Sequence, residues 1–410
     1  MSEKDSYKIK ITPLTGVHIG SGETLTMLDY KLAASITNGD KKVPFKTPKY
    51  LKFSSDKILK KVVESGNVQL QHKFEQAINL KDFKTLRSLL HENCTDLSEI
   101  EYPCEITREF HHFYNENMDK DPLNNATEVI QIFRPLGSKT PFIPGSSLKG
   151  AIRTAYLNHI LLDKMDENSY ERLLDFVDTE KSKDKKNNGN YIKDIESTAL
   201  NINKGKRTNV AQQDPFRCME ISDCQISAKQ QLVGSLNNVY IDERTGELET
   251  KSMQIFAELI PGILLASDYT STFTIRLNKL LQSTTSEDFK INQKIKIEDI
   301  IKACNFFYKK QFDLEYAKFY EKPASHISKI VELKTIIDSI NVNNTSQFII
   351  RLGRWSQVEY MTLGNDFRNP QVPVDRRTGK EKGYGNTRTL LNYKDEYIPM
   401  GWCLCTVDSD

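Results

Sequence analysis

Polar and apolar residues alternate from Tyr7 to Thr12, the period-two pattern of a strand with one buried face. Leu25–Thr37 and Glu128–Phe133 read as further strands. Between them the period changes. Ile58, Leu59, Val62 and Val63, then Phe74, Ala77, Ile78, Leu86, Leu89 and Leu90, recur at helical spacing, so Ser54 to about Met118 is expected to be almost wholly helical. A helical block between strands of one sheet is an insertion, placed at about 46–119. Two helices are expected after a turn at Pro144-Gly145, ending near Val177. Lys181–Asn190 has no apolar residue and is expected to be a mobile loop; its four lysines suit RNA, but a solvated linker is the simpler reading.

In the second half, Arg217–Ile226 and Gln230–Val233 are strand-like, and Val239–Thr250 alternates around Arg244-Thr245-Gly246, a hairpin signal. Phe256–Ile260 and Ile263–Leu277 suggest a strand pair about Pro261-Gly262. Ile297–Tyr320 is a long helix carrying Ile300, Ile301, Phe306, Phe307 and Leu314, and Ser325–Ile340 is a second. Strands near Phe348–Leu352 and Ile398–Val407 complete an α+β pattern in two sheet-and-helix halves, residues 1–265 and 266–410.

Three glycine-bearing segments carry the candidate chemistry. In Phe142-Ile-Pro-Gly-Ser-Ser-Leu-Lys-Gly-Ala-Ile-Arg153, Ser146 or Ser147 is placed to cap a helix whose first N–H groups, with Gly145, suit a phosphate. Lys149 and Arg153, four apart, share a face just beyond. The segment admits two readings, a phosphate-binding edge or an ordinary capped helix with two solvated cations. Thr15-Gly-Val-His-Ile-Gly-Ser-Gly-Glu23 offers a flexible backbone at Gly20, Ser21 and Gly22, with His18 either a general base or, flanked by Val17 and Ile19, a packed side chain. Asp375–Arg388 holds five cations, three glycines and Tyr384. Cations with an aromatic ring on a flexible backbone suit single-stranded nucleic acid; a solvated hairpin is the alternative. Arg351-Leu-Gly-Arg-Trp355 adds two cations and a tryptophan. No Gly-x4-Gly-Lys-Ser/Thr or Gly-x-Gly-x-x-Gly order occurs, so no nucleotide cofactor is expected, and a polymer carrying many phosphates is the better ligand.

Composition narrows this further. The 410 residues are 38% hydrophobic and 27% charged, a globular balance with room for two or three domains. Net charge is only +2, so basic surface must be local and balanced elsewhere by acids such as Asp163, Asp166, Glu167 and Asp175 to Glu180. Seven scattered cysteines without a Cys-x-x-Cys pair argue for a reducing, cytoplasmic setting and against a disulfide framework. His111-His112 lies on a polar helix where adjacent side chains diverge, so no metal is expected. No signal peptide or membrane span is expected.

These motifs resemble the RAMP superfamily of CRISPR effector proteins. Thr15–Gly22 is similar to its opening strand and loop, Phe142–Thr154 to its most recognisable internal motif, and Gly383-Tyr-Gly-Asn-Thr-Arg388 to its terminal glycine-rich loop. Within that family the length, the helical insertion and Arg351–Ser356 look most like the type III-A Csm-complex subunit that caps the CRISPR RNA 3′ end. The resemblance implies two ferredoxin-like (RRM-like) domains, with a thumb-like protruding hairpin at about 236–254 that reaches across RNA. It implies CRISPR RNA, target RNA in the assembled complex, the backbone RAMP subunit and the small helical subunit as partners. The expected RNA contacts are His18, Gly20, Ser21, Gly22, Gly145, Ser146, Ser147, Lys149, Arg153, Arg244, Arg351, Arg354, Lys382, Gly383, Tyr384, Gly385 and Arg388.

Asp29 and His18 are the only candidate catalytic residues. The family's target-cutting subunit carries an aspartate near the position of Asp29, and its repeat-cutting enzymes use a loop histidine. Metal-free RNA cleavage needs a base and an acid together, and the sequence pairs neither residue with a second titrating group. The expectation is a non-catalytic RNA-binding subunit that binds the 3′ part of the guide, caps the backbone filament and supports guide maturation. The alternative is a metal-dependent or metal-free endoribonuclease acting on CRISPR transcripts or target RNA.

Overall fold

The computed structural model describes residues 4–123, 127–135, 137–183, 190–202, 210–226, 231–284, 289–364 and 387–408. It is α+β. A first sheet has five antiparallel strands in the order Gln347–Arg351, Trp402–Val407, Lys4–Pro13, Ser271–Asn278 and Met219–Ile221. Alternation sets its faces: Ile9 and Ile11 of the central strand, with Phe273, Ile275, Cys403 and Cys405 on its neighbours, are buried in one core. The other side of that core is the helix Ile297–Phe319, which contributes Ile300, Ile301, Cys304, Phe307 and Phe312. Glu298 and Asp299 in its first turn favour the positive end of the helix dipole, and Asp299 accepts from the Lys296 N–H (3.2 Å). The helix Gly145–His159 packs beside it, and the Tyr308 hydroxyl donates to the Ala151 carbonyl (3.1 Å).

The second sheet runs in the order Gly20–Leu25, Val129–Ile132, Leu248–Leu259, Leu232–Ile241, Ile100–Ile106, Lys41–Phe53 and Tyr30–Asn38. Arg388–Tyr393 branches from Leu232–Ile241 and pairs onward with Glu396–Pro399. Tyr30, Tyr50, Tyr102, Phe110 and Phe256 fill one core of this sheet against the helix Arg108–Glu116. Three short helices, Ser55–Glu64, Val68–Asn79 and Phe83–Asn93, cover another.

Several sequence expectations change. The block expected to be helical from Ser54 to Met118 is broken by the strand Ile100–Ile106, whose alternate residues Ile100, Tyr102 and Cys104 are buried. The chain from about residue 46 is strand until Phe53, so the helices of the insertion begin at Ser55. Leu25–Thr37 is two strand segments parted by a turn at Thr26–Asp29. Pro261-Gly262 does not close a hairpin: Leu248–Leu259 belongs to the second sheet and Ser271–Asn278 to the first. The linking segment instead crosses the first strand, where the Leu264 N–H donates to the Leu14 carbonyl (3.0 Å). Pairing also crosses residues 265–266, because Lys4–Pro13 lies between Ser271–Asn278 and Trp402–Val407. The hairpin Leu232–Ile241/Leu248–Leu259 forms as expected, longer than its signal. Part of the lysine-rich tract, residues 184–189, lies outside the described residues.

Candidate nucleic-acid interface

The Phe142–Arg153 segment folds inward. Its helix begins at Gly145 with Pro144, not Ser146 or Ser147, at the cap, and no side chain of the turn caps it. The Gly145 N–H donates instead to Asp223 Oδ1 (2.7 Å), so the positive end of the helix already holds a carboxylate from the same chain. Glycine is required here for packing, since a Cβ would stand 2.1 Å from the Ile221 carbonyl oxygen. Lys149 Nζ donates to the Met219 carbonyl (2.7 Å), and burial lowers its pKa. Arg153 forks onto Asp214 (2.7 and 3.0 Å) and reaches Glu196 (3.0 Å). The two cations expected to meet phosphate serve internal acceptors.

Arg351 and Arg388 are likewise internal. Both close on Glu315 of the long helix: Arg351 Nη1 to Oε2 (2.7 Å) and Arg388 Nε to Oε1 (2.8 Å). The Tyr360 hydroxyl donates to Glu315 Oε2 (2.7 Å), and Arg388 also reaches Glu359 (3.1 Å). Burial pushes the Glu315 pKa up, but the two guanidiniums outweigh it and hold the carboxyl below its ordinary value. The cluster ties the long helix to the edge strand of the first sheet and to the branch of the second.

His18 is fully buried. Its Nδ1 donates to the Glu258 carbonyl (2.7 Å), its ring lies 5.0 Å from that of Trp355, and desolvation lowers its pKa to about 4. A buried neutral ring out of contact with solvent is a packed residue, not a base in reach of RNA. Asp29 closes a turn: Oδ2 accepts from the Thr26 N–H (2.9 Å) and hydroxyl (3.0 Å), and the nearest cation, Lys52, stands 3.9 Å from Oδ1. Among the described residues Lys52 is its one ion-pair partner. Among the described residues no group of three or more His, Cys, Asp or Glu side chains could hold a metal, and no helix is long and apolar enough to cross a membrane.

The first glycine loop does meet the Arg351–Trp355 segment. The Arg354 N–H donates to the His18 carbonyl (2.8 Å), which lays Gly353–Trp355 across the first glycine loop. Gly353 has φ +81°, and a Cβ there would stand 2.2 Å from the His18 oxygen, so only glycine permits the crossing. Trp355 and Gln357 hold φ of 66° and 67°, conformations rare for non-glycine residues and maintained here by the surrounding packing. The result is a ridge on which Gly20, Gly22 and Arg354 are exposed, Ser21 and Trp355 half-buried, and the guanidinium lies 5.1 Å from the indole centroid. A charged, partly aromatic strip on bare backbone can take a phosphate beside a stacked base. Arg244 is exposed at the hairpin turn. Lys382, Gly383, Tyr384 and Gly385 lie outside the described residues, between Gly364 and Thr387.

With this geometry the sequence can be set against known proteins. It matches the RAMP superfamily over residues 10–409. The chain belongs to the RAMP superfamily. Its fold is similar to a chain in the cryo-EM structure of a Csm–crRNA–target RNA ternary complex of a type III-A CRISPR-Cas system, at 16% identity and TM-score 0.60, covering 98% of this chain and 100% of that one. It is also similar to the crystal structure of T. onnurineus Csm5, at 16% identity and TM-score 0.53, covering 96% and 99%. No curated protein matches it. The superfamily was legible in the glycine motifs. The acceptors Asp214, Glu196, Asp223 and Glu315 were not, because no local pattern announces a partner dozens of residues away. Lys251, Lys318 and Lys322, exposed beside the hairpin, were also missed: they lie outside any glycine motif.

Proposed function

We propose that the chain is a non-catalytic RNA-binding subunit of a type III-A CRISPR (Csm) interference complex. It holds the 3′ part of the CRISPR RNA, caps the backbone filament and supports guide maturation, with target RNA, the backbone RAMP subunit and the small helical subunit as its partners. The observation that carries this reading is the end-to-end likeness to a chain of a Csm–crRNA–target RNA complex, which covers 98% of this chain and 100% of that one. The ridge of Gly20–Gly22 with Arg354 and Trp355, and Arg244 on the hairpin, supply exposed groups for phosphates and bases. Metal-free cleavage would need a general base and acid facing one phosphate, whereas His18 is buried and the Asp29 carboxylate holds its own turn.

The test is reconstitution of the complex with and without this chain, and with Asp29→Ala. Without the chain, the guide's 3′ end should become open to an added exonuclease, and adding the chain back should restore protection. With Asp29→Ala every target cut should persist. Unchanged 3′ protection without the chain overturns the capping role, and loss of one cut in an assembled Asp29→Ala complex makes the chain a nuclease.

A further inference from the structure

The hairpin Leu232–Ile241/Leu248–Leu259 does not stand free. Val239 and Leu248 share a buried cluster with Phe319, Tyr320 and Ile330. At its turn Glu247 accepts from the Ala324 N–H (3.1 Å), the Ser325 N–H (3.2 Å) and the Ser325 hydroxyl (2.8 Å), latching the hairpin to the chain just beyond the long helix. Between hairpin and helix end lies an open cleft of about 740 Å³, lined by Tyr240, Arg244, Lys251, Lys318, Phe319 and Lys322. Arg244, Lys251, Lys318 and Lys322 are exposed, and among the described residues none of them forms an ion pair. Two carboxylates also line it. Asp242 is engaged in its own turn, accepting from the Arg244 (3.0 Å) and Thr245 (2.8 Å) N–H groups, while Glu243 points to solvent.

We infer that this cleft is a second RNA site, holding a short single-stranded segment with phosphates on both basic walls and a base against Tyr240. The inference rests on the RNA-binding reading above and adds a site apart from the ridge. Opposed cations, from segments some seventy residues apart, suit a repeating polyanion better than a single small anion, and an open cleft of this size is not built to enclose a cofactor. The Tyr240 hydroxyl donates to Glu249 (2.9 Å), which fixes the ring, and Lys251 Nζ lies 5.7 Å from its centroid, pairing aromatic and cation as single-strand sites do. The Glu247 latch holds the walls in place before RNA arrives, so little ordering remains for binding to accomplish.

The test measures binding of a fluorescent oligouridine to the purified full chain across a salt series. Lys251→Ala/Lys318→Ala/Lys322→Ala removes only exposed charges. It should weaken binding and flatten the log-affinity against log-salt slope by about 2 units, at roughly 0.7 per single-strand phosphate contact. Tyr240→Ala should weaken binding about 5- to 150-fold, the range for one lost base stack, and Tyr240→Phe should restore it. If the wild type binds but the triple variant keeps its slope, the cleft is not an RNA site and the broader reading stands. If the variant binds RNA normally but loses a partner subunit on assembly, the cleft docks protein and the inference fails. If the wild type does not bind oligouridine even at low salt, the cleft and the RNA-binding reading fall together.

Discussion

The Gly145–His159 helix and the ridge formed by Gly20–Gly22 and Gly353–Trp355 carry the same residue types, glycine, serine and arginine, and the fold uses them in opposite ways. In the helix, glycine admits the Ile221 carbonyl, an aspartate takes the first N–H, and Lys149 and Arg153 close on acceptors of the same chain. On the ridge, glycine lets one loop cross another and leaves Arg354 in solvent. The same division separates the arginines of the C-terminal part, where Arg351 and Arg388 grip the buried Glu315 and Arg354, three residues from Arg351, does not. A cation in a glycine-rich motif is therefore left free for an outside ligand only where the chain offers it no acceptor of its own.

The comparison can be broken most forcefully at Glu315. Glu315→Gln leaves two buried guanidiniums short of their counter-charge and should cost about 3–5 kcal/mol of unfolding free energy, as for other broken buried pairs. A denaturant midpoint within error of the wild type would show that the cluster is not a structural tie. Next is Gly145→Ala, whose methyl would collide with the Ile221 backbone; a loss of about 1–3 kcal/mol is expected, as for an overpacked site. If that variant is fully stable but binds RNA poorly, the turn is a ligand site after all.

His18 gives the third test, through pH. Its folded pKa of about 4 lies below the ordinary 6.5, so the unfolded chain takes up a proton that the folded chain refuses. Its contribution is complete above pH 6.5 and is lost as pH falls toward 4. At about 1.4 kcal/mol per pH unit, that is roughly 2 kcal/mol by pH 5. A His18→Gln variant should lose stability less steeply over the same range, and an identical slope would mean the ring is not held neutral. The smallest effect on folding belongs to Arg354→Ala, within about 0.5 kcal/mol for an exposed residue. The same change should weaken RNA binding and flatten its salt slope by about 0.7 unit, whereas a folded Lys149→Ala variant should leave the slope alone.

Much of the scaffold was visible in periodicity: the first strand, the long helix Ile297–Phe319 and the hairpin all follow from local spacing. The strand Ile100–Ile106 also alternates, but helices on both sides and Pro103 within it hide the change of period. The divergence of chain at Pro261-Gly262 depends on Leu14, nearly 250 residues away, and no local signal encodes it. The candidate site divides the same way. Glycine motifs marked the positions where backbones approach closely, and only the tertiary structure distinguishes an approach to another strand from an approach to a ligand.

The most direct test of this account is photo-cross-linking within the assembled complex, with 4-thiouridine in the 3′ part of the guide and the adducts mapped by mass spectrometry. Adducts are predicted in Gly20–Gly22, at Arg354 and Trp355, and on the hairpin around Arg244, with none in Phe142–Arg153. Adducts concentrated at Lys149 and Arg153, or none anywhere on this chain, would contradict it.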